Sequence, residues 1–241
     1  MANGTSSKAA AANGGAAAFN QPAYDKQKLL LSTDAGHFSL VRALHMADFI
    51  TELNGLCGVL SVFASLRYCS DPAAPRGVLW AALGLLPLAL FFDFMDGKVA
   101  RWRKKSSMMG QELDSLADLI SFGVAPAVVA FAVGLRTPLD QLLLAFFVLC
   151  GLTRLARFNV TTTVIPKDTA GKAAYFEGTP IPTSLGLDAL LAYWVGQGWV
   201  GEQLPLGAWG AGTAWAVHPV VLLFVVHGCL MTSKTIHIPK P

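Results

Sequence analysis

The sequence predicts an all-α integral membrane protein, a bundle of six transmembrane helices with both termini in the cytosol. Three observations predict it. Apolar types make up 54 % of the 241 residues and charged residues only 14 %, with a mean hydropathy of +0.50, whereas soluble domains carry about 25 % charge. Six stretches approach the ~20 apolar residues that cross a bilayer, at roughly 50–68, 77–101, 112–134, 139–160, 183–200 and 214–232. Basic residues are segregated: fifteen of the eighteen fall on the side of the termini, and only Arg67, Arg76 and Arg136 on the other. That bias marks the cytosolic side. The same composition excludes a soluble enzyme and a disordered interaction protein. A net charge of +3 is too small and too diluted for nucleic-acid binding.

Taken in order, residues 1–33 read as a disordered cytosolic tail and 34–241 as the membrane domain. The Ala/Gly-rich start is broken by Asn13, Gly14 and Gly15, so it lacks the apolar core of a signal peptide. Residues 34–50 read as a short interfacial helix before the first span, with a plain connecting helix as the alternative. Asp71, Pro72 and Pro75, then Thr137 and Pro138, make short turns, which force antiparallel neighbours. Cys57, Cys69, Cys150 and Cys229 show no paired or zinc-like spacing and read as small buried hydrophobes.

Acids are costly inside a span, about 2.5 to 3.5 kcal/mol each. The second and third spans nevertheless carry Asp93, Asp96, Asp114 and Asp118, with Arg101 nearby. Asp93 and Asp96 are i,i+3 and Asp114 and Asp118 are i,i+4, so each pair shares one helix face. Across an antiparallel helix pair, four such carboxylates form an oxygen cage suited to hard divalent cations, most simply two of them. A stabilising network with the nearby basic residues is the bland alternative. Gly97 and Gly110 argue against it, because small residues beside the acids open space for a ligand.

The stretch Asp93-Phe-Met-Asp96-Gly97-Lys-Val-Ala100-Arg101, then eight residues, then Gly110-Gln-Glu-Leu-Asp114-Ser-Leu-Ala-Asp118, resembles the signature of the CDP-alcohol phosphatidyltransferase family at all eight fixed positions. The resemblance implies a six-helix membrane enzyme and a homodimer, with two Mg2+ or Mn2+ ions held by the four aspartates. It also implies a CDP-linked lipid and an alcohol as substrates, with CMP released. By the same resemblance Asp118 takes the alcohol proton, and Gly97, Ala100, Arg101, Ser107 and Gly110 belong to the CDP-diacylglycerol site. Asn54, with Thr51, falls where the family builds its cytidine pocket; a helix–helix hydrogen bond accounts equally well for Asn54. The chemistry agrees, since phosphatidyl transfer is in-line displacement at phosphorus and rests on positioning and charge neutralisation.

The acceptor is read from the fourth span onward. Arg154 and Arg157 are i,i+3 at a cytosolic helix end, followed by Phe158 and Asn159. Two topology anchors are one reading; the other is recognition of an acceptor carboxylate, for which Arg is the preferred two-donor partner. Arg154-Leu-Ala-Arg157-Phe158-Asn159, with Tyr175-Phe-Glu-Gly178-Thr-Pro180-Ile-Pro182, is similar to the phosphatidylserine synthase branch of the family, fungal members in particular. The branch implies L-serine as acceptor, with Arg154, Arg157, Phe158 and Asn159 around it, in an endoplasmic-reticulum membrane with the active site facing the cytosol. Inositol and glycerol 3-phosphate are the alternative acceptors.

A divalent-cation transporter is the competing class. It needs acids near the bilayer centre and a polar path beyond them, but here the acids lie in the cytosolic third. Gly196-x-Gly198-x-x-Gly201 matches a dinucleotide fingerprint only in letters, since no strand precedes it, and reads as a helix end. His218 and His227, nine residues apart, are not at metal spacing and read as histidines satisfied by neighbours or lying at the lipid interface.

Overall fold

A polar stripe on an otherwise apolar helix has to face inward in lipid, and the first helix, α1 (Met46–Ser70), does so. Asp48, Thr51, Asn54, Ser61 and Ser65 are buried, whereas Leu53, Leu56, Leu60 and Phe63 are exposed. That arrangement is the reverse of a soluble helix and the normal one for a membrane bundle. The computed structural model describes residues 46–71, 73–103, 108–164, 175–210, 212–213, 215–233 and 237–239. The expected tail and all but the end of the expected interfacial helix lie outside them.

After α1 come α2 (Gly77–Arg103) and α3 (Met108–Asp118), a π-helical turn at Leu119–Val124, α4 (Ala125–Val133), α5 (Pro138–Val164), α6 (Leu185–Gln197) and α7 (Leu222–Thr232). Segments Asp48–Ser70, Gly77–Val99, Met109–Val133 and Pro138–Val160 are long and apolar enough to cross a membrane. The protein is therefore a helical integral membrane protein. The one exception to an all-α fold among the described residues is a three-residue antiparallel pair, β1 (Tyr175–Glu177) with β2 (His237–Pro239), besides an isolated bridge from Trp209 to Val217.

The last two expected spans are shorter helices than the sequence predicts. α6 has 13 residues and α7 has 11, against 23 to 25 in the four long segments. Each starts with a 3-10 turn opened by proline, Ile181–Ser184 before α6 and Pro219–Val221 before α7. Hydropathy continues past these ends, but the helical hydrogen bonding does not. Relative to the expected spans they lose residues mainly at the end opposite the aspartates, where Gly198 ends α6 and Pro219 opens the turn into α7. At the start of α6, Ile181 packs against Gly123 and Gly151, mid-way along their segments.

Close contacts hold α1 against the third span. A Cβ on Gly58 would lie 2.9 Å from the Ser121 Cα, so only glycine lets the backbones meet there, next to the π-helical turn. Ser121 Oγ donates to the Asn54 carbonyl (2.9 Å) and Ser61 Oγ to the Ala82 carbonyl (2.8 Å). At the opposite end of the bundle, Thr137 and Asp140 cap α5 reciprocally, each backbone N–H donating to the other's side chain at 3.1 Å. Asp140 is fully buried and also accepts from the backbone N–H (2.9 Å) and Nδ1 (2.6 Å) of His218. His227 bonds Thr183 Oγ1 (2.9 Å). His218 is thus held by neighbours, as the sequence predicts, whereas His227 is only half satisfied, its Nδ1 buried without a hydrogen-bond partner.

Candidate active site

The antiparallel α2 and α3 bring their acids together as the helix spacing requires. One carboxylate oxygen from each of Asp93, Asp114 and Asp118 lies within 4.8 Å of the other two. Asp114 Oδ1 is buried without a hydrogen-bond partner. Three carboxylates so close, one of them carrying a buried oxygen with no partner, form an unfavourable cluster by themselves and a good donor set for a divalent cation.

Asp96 stands outside that three-way cluster. It is buried, and its Oδ2 accepts a 2.6 Å bond from Thr51 Oγ1 on α1. Asp118 is steadied from the same helix, its Oδ1 accepting from Asn54 Nδ2 at 3.1 Å. Asn54 thus makes a helix–helix bond whose target is the last aspartate of the motif, while its Oδ1 is buried without a partner. α1 therefore supplies partners to both acid-bearing helices, through Thr51 to α2 and Asn54 to α3. Asp48, also buried on α1, acts electrostatically on Asp96. An acid in the first turn of an apolar helix is a sequence signal for Asp48; nothing in the sequence marks its depth.

Gly97 and Gly110 lie in α2 and α3 beside the acids, and Ala100 and Arg101 lie on the last turns of α2. Ser107, expected at a nucleotide phosphate, lies outside the described residues.

The four acceptor candidates on α5 separate. Arg154 is buried, its Nε has no partner, and it feels the charge of Asp118. Arg157, one turn along and within electrostatic reach of Arg154, donates through Nη1 to the Thr232 carbonyl at the end of α7 (3.3 Å). Asn159 bridges to α3, donating to Glu112 Oε2 (3.1 Å) and accepting from Ser115 Oγ (3.1 Å). Phe158 is exposed. Arg154 and Asn159 thus flank the acid-bearing α3, and Arg157 ties α5 to α7. Ser115 and Glu112 are neighbours of this site that sequence reasoning missed, because their only sequence signal is position beside Asp114.

A profile of CDP-alcohol phosphatidyltransferases matches residues 44–227. The chain belongs to that family. A CDP-diacylglycerol–serine O-phosphatidyltransferase of Saccharomyces cerevisiae is 51 % identical to it over 220 residues, 91 % of this chain and 78 % of the yeast protein. The enzyme of the same name from Bacillus subtilis is 40 % identical over 135 residues, 55 % of this chain and 67 % of its own. An archaetidylserine synthase of Methanothermobacter thermautotrophicus is 37 % identical over 142 residues, covering 58 % of this chain and 54 % of that one. The aspartates, Asn54 and Arg154 all fall inside the matched residues of this family member.

Proposed function

We propose that this phosphatidyltransferase moves the phosphatidyl group of CDP-diacylglycerol to the hydroxyl of L-serine, giving phosphatidylserine and CMP. The observation that carries the reading is the likeness to the yeast serine enzyme along nearly the whole chain, on a framework in which Asp93, Asp114 and Asp118 converge.

In the displacement, the serine oxygen forms a bond to the lipid-side phosphorus while the bond from that phosphorus to the CMP oxygen breaks. Two Mg2+ or Mn2+ ions held by Asp93, Asp96, Asp114 and Asp118 would supply neutralisation of the pyrophosphate and leaving-group charge. Asp118 takes the hydroxyl proton on Oδ2, with Oδ1 occupied by Asn54. Thr51 and Asn54 fix the acid carboxylates from α1, so that alignment contributes as well as basicity. Arg154 receives the serine carboxylate, a role supported by its buried Nε lacking a protein partner. Gly97, Ala100, Arg101, Ser107 and Gly110 attend the nucleotide and its phosphates, while Arg157, Phe158 and Asn159 complete the serine side.

This reading places six helices in the membrane, both termini and the acids on the cytosolic side of the endoplasmic reticulum, and two copies in a homodimer. The segregation of basic residues supports the orientation. The test supplies the reconstituted protein with CDP-diacylglycerol and labelled serine. Labelled lipid and CMP should form in equal amounts, stop with a chelator, and resume with Mg2+ or Mn2+. Label incorporation that persists in the chelator would overturn the metal role, and its absence under every condition would overturn the serine reading.

A further inference from the structure

The segment between α6 and α7 has an unusual composition for a loop. From residue 198 to 218 it carries a single charge, Glu202, and three tryptophans, Trp199, Trp209 and Trp215. We infer that this segment lies in the headgroup interface of the leaflet opposite the aspartate cluster, with Trp209 and Trp215 as its contacts to phospholipid. The inference rests on the membrane reading of the bundle, and not on its catalytic role.

The fold fixes the segment at the right level. A Cβ on Gly134, at the end of α4, would meet Gly201 and Leu204, and Gly198 sits beside Arg76 at the start of α2. Asp140, in the first turn of α5, holds His218 at the far end of the segment. The loop therefore spreads over the ends of α2, α4 and α5, where the long spans leave the bilayer. Trp80 and the edge-to-face pair Tyr193–Trp199 are exposed at this same end, an arrangement that matches an interfacial aromatic belt.

Within the segment, the apolar residues that point inward and outward are sharply divided. Leu204 is buried as a peg, whereas Leu206, Trp209 and Trp215 are 71 %, 63 % and 78 % exposed. Leu206 even adopts a left-handed backbone (φ 67°), an uncommon conformation for a branched apolar residue, and its side chain is left outward. Water would oppose such exposure, and the hydrocarbon core would oppose an irregular backbone. The interface tolerates both, the more so because the backbone here is paired. Trp209 and Val217 exchange N–H···O bonds of 2.8 and 3.0 Å, Thr213 N–H bonds the Gly210 carbonyl at 3.0 Å, and Ala216 N–H the Thr213 carbonyl at 3.2 Å. Gly198 and Gly201, the end of the apparent dinucleotide fingerprint, have positive φ and serve only to turn the chain out of α6.

The test compares wild type with Trp209→Phe, Trp215→Phe and the double variant in phosphatidylcholine vesicles, by tryptophan fluorescence. The emission that the variants lose should be quenched by lipid brominated near the carbonyl end of its acyl chains and spared by aqueous iodide. Quenching by iodide alone would place the tryptophans in water, and quenching by neither would place them in a protein contact. Either result overturns the inference. The phenylalanine variants should retain serine transfer, so a defect in the proposed reaction and a failure of this inference read out separately.

Discussion

Gly58→Ala is the smallest change that should damage this protein, because one added methyl group meets the backbone of the acid-bearing span. The new Cβ would lie 2.6 Å from Ser121 Oγ, 2.9 Å from Ser121 Cα and 3.0 Å from Ile120 Cγ2. Carbon atoms rest at about 3.5 to 4.0 Å, so α1 must move off the π-helical turn by roughly 0.5 to 1 Å. Overpacking of this kind costs about 1 to 3 kcal/mol. The same shift stretches the Asn54–Asp118 bond from its 3.1 Å toward the ~3.5 Å limit of a hydrogen bond. A bond to a charged group contributes about 1.5 to 3 kcal/mol, and a displacement of ~1 Å at a reacting centre can cost on the order of a hundredfold in rate. We expect CMP release to fall by that order and the thermal midpoint in detergent to drop. Gly55→Ala is the control: its Cβ would sit 3.6 Å from the nearest atom, Ala117 Cβ, an ordinary contact, and both activity and midpoint should hold. Equal behaviour of the two variants would refute the packing argument.

Other perturbations probe the acids and the acceptor. Asp93→Asn and Asp114→Asn should each abolish turnover; in a chelator, however, Asp114→Asn should melt higher than wild type, because three carboxylates within 4.8 Å repel by an order of 1 to 3 kcal/mol. Thr51→Val keeps the side-chain shape and deletes the 2.6 Å bond to Asp96, so the divalent-cation concentration for half-maximal rate should rise about tenfold or more. Arg154→Lys keeps the charge but loses the planar fork, and should raise the half-saturating serine concentration about ten- to a hundredfold at saturating CDP-diacylglycerol. An unchanged serine curve would move the carboxylate site elsewhere.

The aspartate pairs were legible because helix spacing alone assigns them to one face, and the turns on either side made their helices antiparallel. What α1 does to them was not. Thr51 reaches Asp96 and Asn54 reaches Asp118 across 45 and 64 residues; the polar stripe of α1 says which face turns inward, but not the height at which it meets the other two helices. Close contact of Gly58 with Ser121 in the π-helical turn at Leu119–Val124 fixes that height, and neither feature has a periodicity signal. The lengths of α6 and α7 were overestimated for a related reason. Hydropathy runs on through residues 198–200 and 214–218, yet Gly198 ends one helix and Pro219 opens the turn into the other. Asp140 stands in the first turn of α5, and its bonds to His218, 78 residues away, depend on the folded chain. The arginines on α5 were legible as a pair, but not that the Arg157 guanidinium would reach the Thr232 carbonyl, 75 residues away, since that contact depends on where α7 ends.

The account stands or falls on the acceptor. The most direct measurement gives the reconstituted protein CDP-diacylglycerol and a divalent cation, adds serine, inositol or glycerol 3-phosphate in turn, and follows CMP release. The account predicts release with serine far above the other two and its loss in Arg154→Lys at low serine. Comparable or faster release with inositol or glycerol 3-phosphate would contradict it.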